Sequence, residues 1–68
     1  MKAEEETLRL IGDHFRRARL AAGLTQEQVA DLAGISRPRY RDIETGAAAA
    51  RTTTLINIAR ALGLSLIH

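Results

Sequence analysis

Arg37, Arg39 and Arg41 stand at alternate positions between two glycines, Gly34 and Gly46. A guanidinium is a planar fork of N–H donors that can pair bidentately with a phosphate or with O6 and N7 of guanine. Arg37 and Arg41, four apart, share one face of a helix, so both can address the same groove. Asp42 beside them either accepts from cytosine N4 or orients Arg39 or Arg41. Pro38 offers only apolar contact, for example to a thymine methyl. Three such arginines alone could be a solvated charged face. A capped helix and a glycine turn directly ahead of them point instead to a surface that enters the major groove of duplex DNA.

Other chemistry is thinly represented. His14 and His68 are the only histidines, near opposite ends of the chain, and there is no cysteine, so no metal-ligand set or disulfide is legible. Asp13-His14 are neighbours on a helix rather than an acid–base pair. Glu27 and Asp31, an i, i+4 pair of carboxylates, are more often solvated than catalytic. No glycine-rich phosphate loop is present. The expectation is a protein that is not an enzyme and uses neither cofactor nor metal.

The elements that would position the arginines follow from spacing. Thr25 and Gln28 form a capping box, with the threonine hydroxyl on the Gln28 amide and the glutamine side chain reaching back. Val29, Leu32 and Ala33 supply the apolar stripe of the helix they open. Gly34 permits the sharp turn. Ser36 caps the next helix, and Pro38 suits its first turn because its missing amide has no helical partner to lose. Pro38 also disfavours helical geometry at Arg37, so the start is either Ser36 or Arg37. Tyr40 and Ile43 face the core, leaving Arg37, Pro38, Arg41 and Asp42 outward. The amino end of the first helix of the pair brings Gln26 to a phosphate.

Around this pair lie two further helices. Leu8, Ile11, Phe15, Ala18 and Ala22 step by three and four, closed by Gly23, with Arg9, Arg16, Arg17 and Arg19 on the opposite face. After Ala47–Ala50, the run Thr52-Thr53-Thr54 favours a break and a new cap, and Leu55, Ile58, Ala59 and Leu62 form the last stripe before Gly63. Leu64 and Leu66 alternate around Ser65, which fits a short strand over Leu64–Ile67 better than a helix.

The 68 residues allow one domain, marginal alone and without a covalent staple, so a dimer is expected. Residues 1–6 carry a net −2 and residues 7–68 a net +4, and nine of the ten cations are arginine. The acidic start, Met1-Lys2-Ala3-Glu4-Glu5-Glu6, does not resemble a signal peptide. No apolar run approaches the roughly 20 residues that span a bilayer, so no membrane is expected and a cytoplasmic location is.

Four segments together resemble the lambda-repressor-like (Cro-type, xenobiotic-response-element) helix-turn-helix family. They are Leu24-Thr25-Gln26-Glu27-Gln28-Val29-Ala30, Ala33-Gly34-Ile35-Ser36-Arg37, Ile43-Glu44-Thr45-Gly46 and Leu55–Gly63. The resemblance implies an all-α bundle of four or five helices and a two-fold homodimer on palindromic operator DNA. It places Gln26 on a phosphate, bracing the recognition helix. It puts Ser36, Arg37, Pro38, Arg41 and Asp42 at bases or adjoining phosphates, Arg39 nearer the backbone, and Glu44 in a structural role. The chain departs from the family at Ala47–Ala50, where only Arg51 and backbone amides are left to meet a phosphate. Thr52–Ile67 further resembles HipB-type antitoxins, which implies a dimerisation strand built on Leu64, Leu66 and Ile67 and a HipA-type kinase toxin as partner. The expected organisation is an acidic start of the first helix (1–7), the DNA-binding domain (8–63) and a dimerising tail (64–68). The expected function is repression, as the antitoxin in an operon that it autoregulates with such a toxin; the alternative is a free-standing phage-type or host repressor, and a protein-docking adaptor is the rival of another class.

Overall fold

The computed structural model describes residues 2–64, which form α1 (Lys2–Ala21), α2 (Gln26–Ala33), α3 (Arg37–Thr45) and α4 (Thr52–Ala61). The architecture is all-α, as expected. α1 packs on α3, and α2 packs on both α3 and α4. Phe15, Val29, Ala30, Ala33, Tyr40, Ile43, Ile58, Ala59 and Leu62 form the buried core between them.

All four helices end in one way. The amide of a left-handed glycine bonds back three residues, and the next amide bonds back five, which is the Schellman arrangement. At α2 these bonds are Gly34 N to Asp31 O (3.2 Å) and Ile35 N to Ala30 O (3.0 Å). Gly23, Gly46 and Gly63 repeat the pattern, with φ between 71° and 81°.

α1 begins at Lys2, within the acidic start expected to open it, and residues 3–7 are exposed. Three sequence expectations need correction. Ala22 lies past the helix end and is exposed rather than part of that stripe. Leu32 is 65% exposed, and Ala30 takes its place inside. At about 100° per residue, Val29, Ala33 and Ala30 span one arc toward α3 and α4, and Leu32 falls about 60° outside it. The N-cap of α4 is Arg51, with no side-chain cap, so Thr52, Thr53 and Thr54 occupy the first turn.

Gly12 was not singled out by the sequence pattern. It is buried where α1 crosses the end of α3, and a Cβ there would meet the backbone carbonyls of Glu44 and Ile43. The expected strand over 64–67 lies largely outside the described residues. Leu64, the one member within them, has no strand assignment and closes the end of α4 by donating to Ala59 O (2.9 Å).

Candidate nucleic-acid interface

The turn between α2 and α3 is built by local chemistry. Thr25 Oγ1 accepts from Gln28 N (3.1 Å) and Thr25 N donates to Gln28 Oε1 (2.8 Å), so the capping box is complete. Ser36 is the N-cap of α3, its Oγ accepting from Arg39 N (3.2 Å), and helical geometry starts at Arg37. Tyr40 and Ile43 are buried, which turns Arg37, Pro38 and Arg41 to the outside, with Asp42 half-exposed.

A buried polar network ties this unit to α1. Arg19 Nε donates to Glu44 Oε2 (2.9 Å), and Arg19 Nη2 donates to Glu44 Oε1 (2.8 Å). Arg19 Nη1 also donates to Leu24 O (3.0 Å), the residue leading into α2. Gln26 Nε2 donates to Glu44 Oε1 (3.3 Å), so Gln26 braces the end of α3. Arg19 is therefore not on the outward face: its side chain is 12% exposed and that of Glu44 is 3% exposed. The signal was present in the sequence, because Arg19 follows Phe15 by four and so lies on the inward stripe. The structural role implied for Glu44 is the one it has.

Burial alone would raise the Glu44 carboxyl. Hydrogen bonding from Arg19, with Tyr40 and Gln26 adding to it, outweighs burial and holds the group below the usual carboxylate range. Burial, then the neighbouring Glu44 charge, pushes the Tyr40 phenol well above its ordinary value. The fully buried Tyr40 hydroxyl has no partner of good hydrogen-bond geometry, although it lies near enough to Glu44 to favour its charged form.

The outward residues are held loosely. Arg37 Nη1 lies 3.8 Å from Glu27 Oε2, and Arg41 Nε lies 3.7 Å from Asp42 Oδ1. Both pairs are well exposed, and such contacts contribute at most about 1 kcal/mol. Of the two arginines Asp42 was expected to orient, it meets Arg41. Arg39 is engaged elsewhere: its Nη2 donates to Ala49 O (3.2 Å) in the loop before α4. Arg51 is exposed at the start of α4. Leu64 is 40% exposed, while Leu66 and Ile67 lie outside the described residues. No helix among the described residues is long and apolar enough to cross a membrane.

Comparison with known proteins agrees with this geometry. The helix-turn-helix family matches residues 15–67. The chain is 39% identical to an uncharacterised HTH-type transcriptional regulator, y4dJ of Sinorhizobium fredii, over 88% of this chain and 78% of that protein. It is 37% identical to a second such regulator, YqaE of Bacillus subtilis, over 84% of this chain but only 49% of that protein. Its structure resembles the restriction-modification controller protein C.AhdI of Aeromonas hydrophila with a TM-score of 0.85 and 30% identity, covering 88% of this chain and 91% of the other.

Proposed function

The chain belongs to the lambda-repressor-like (XRE-type) helix-turn-helix family of transcriptional regulators, and we propose that it binds a palindromic operator as a homodimer and represses transcription there. One observation carries the reading: a buried network of Arg19, Glu44 and Gln26 fixes α3 while leaving Arg37 and Arg41 outward with only weak surface partners. Rigid placement of mobile guanidinium groups is what base readout in the major groove requires. In this reading Arg37 and Arg41 meet guanine edges, Pro38 and Asp42 touch the adjoining bases, and Ser36, Gln26 and Arg51 hold phosphates. Leu64, Leu66 and Ile67 form the dimer contact, and the protein works in the cytoplasm, at the nucleoid when bound.

The setting proposed is a small controller acting on a neighbouring gene, which the likeness to C.AhdI over most of the chain favours. Pairing with a HipA-type kinase toxin is a narrower alternative that draws on Thr52–Ile67 alone. Recovery of bound duplexes from a random library tests the reading. The expected product is a palindrome with half-sites about one helical turn apart. A single asymmetric half-site bound by a monomer would refute the dimer, and no enrichment at all would refute sequence reading. Under the controller setting, the recovered sequence lies upstream of a restriction or modification gene. A kinase-type reading frame beside it would favour the antitoxin.

A further inference from the structure

We propose that Arg39 is a positioning residue that clamps the loop between α3 and α4, so that Arg51 reaches the DNA backbone, and that it is not itself a phosphate contact. The inference rests on the reading of this chain as a DNA-binding regulator.

Between Gly46 and Arg51 the loop is Ala47-Ala48-Ala49-Ala50, with no polar side chain to anchor it. It is held from α3 instead. Asp42 O accepts from both Ala47 N (2.8 Å) and Ala48 N (3.2 Å), which fixes the first half of the loop. Arg39, one helical turn before Asp42, holds the second half by donating from Nη2 to Ala49 O. Ala49 precedes Arg51 by two residues, so fixing its carbonyl fixes the Ala49–Ala50 peptide plane just ahead of Arg51. No other hydrogen bond among the described residues reaches the second half of the loop: Ala50 packs half-buried against the core, and Arg51 is the N-cap of α4, in extended geometry and without a side-chain cap. The three arginines of α3 therefore divide. Arg37 and Arg41 pair weakly with exposed side chains, whereas Arg39 pairs with backbone. No polar side chain of the loop itself can hold the Ala49 carbonyl, so the clamp comes from α3.

The experiment has two arms, both on the full chain. In the free protein, hydrogen exchange at the amides of residues 47–53 is followed by NMR. Arg39→Ala speeds exchange there and leaves the core amides unchanged. In the second arm, binding to a mixed-sequence duplex is measured across a salt series. Arg39→Ala and Arg51→Ala each lower the slope of log affinity against log salt by about one. The double variant loses no more than Arg51→Ala alone, because the two act through one contact. Arg39→citrulline, made by chemical synthesis, keeps an N–H donor without the charge and keeps the wild-type slope. A slope lowered by about two in the double variant, or by about one with citrulline, would make Arg39 a direct phosphate contact and overturn the proposal, as would unchanged loop exchange in Arg39→Ala. Absence of salt-dependent binding by the wild type would remove the DNA reading and this proposal together.

Discussion

Arg19 in α1 holds Glu44 in α3 by two parallel hydrogen bonds of 2.9 and 2.8 Å, across 25 positions of sequence and away from solvent. Removing one partner strands the other charge inside. Arg19→Ala is therefore expected to destabilise the fold by about 3–5 kcal/mol, a large share of what a small domain has. Urea unfolding measures it. A loss under about 1 kcal/mol would mean that water reaches Glu44 freely.

Acid should act through the same carboxyl. Its pKa is lowered in the folded protein, so its contribution is complete above the unfolded-state value of 4.5 and is lost as pH falls through the lower folded value. Thermal stability should drop below about pH 4.5, and Glu44→Gln should flatten that drop. An equally steep acid limb in Glu44→Gln would assign it to other carboxylates.

Gly12→Ala should destabilise although alanine is the better helix former. The added Cβ would lie 2.7 Å from the Ile43 carbonyl oxygen and closer still to that of Glu44, both backbone atoms that cannot swing aside. Overpacking of this kind costs about 1–3 kcal/mol or more, against a propensity gain of up to about 1 kcal/mol. A lower melting temperature is expected, and a higher one would mean α1 can slide over α3.

Tyr40→Phe removes a buried hydroxyl that lacks a well-formed partner. Stability at neutral pH should change by less than about 1 kcal/mol, because no good bond is lost. A loss above about 2 kcal/mol in the same urea titration would show that the hydroxyl is bonded in solution.

Arg37→Ala and Arg41→Ala should each weaken operator binding by about 1–3 kcal/mol and relax preference at one base pair per half-site. Competition with random duplex checks this. Equal weakening on both DNAs would reassign the residue to a phosphate.

The parts of the fold legible in the sequence were those governed by neighbours. Thr25 with Gln28, Ser36 with Pro38, and Gly34 encode their caps within a few residues, and the structure has them all. Tyr40 and Ile43 were readable because short α3 has one inward face. What was not legible depends on which elements meet. Leu32 looks like a core residue until α2 is docked on both α3 and α4, which turns it out. Arg19 lies on the inward stripe four residues after Phe15, but no local pattern names Glu44 as the partner that lets its charge be buried there. Gly12 carries no side chain to betray a crossing. In the interface, the outward placement of Arg37 and Arg41 was readable from helical spacing, but the engagement of Arg39 by Ala49 was not, because alanine side chains give no hint of what their carbonyls accept.

The glycine stop shared by all four helices also bears on how quickly the chain folds. Each stop is closed by bonds spanning no more than five residues, so the limits of every helix are encoded locally. Helices as short as α2, α3 and α4 are marginal alone and are held by docking, and bundles dominated by local contacts fold in microseconds to milliseconds. Arg19 and Glu44 join only once α1 has found α3, so Arg19→Ala should speed unfolding far more than it slows folding.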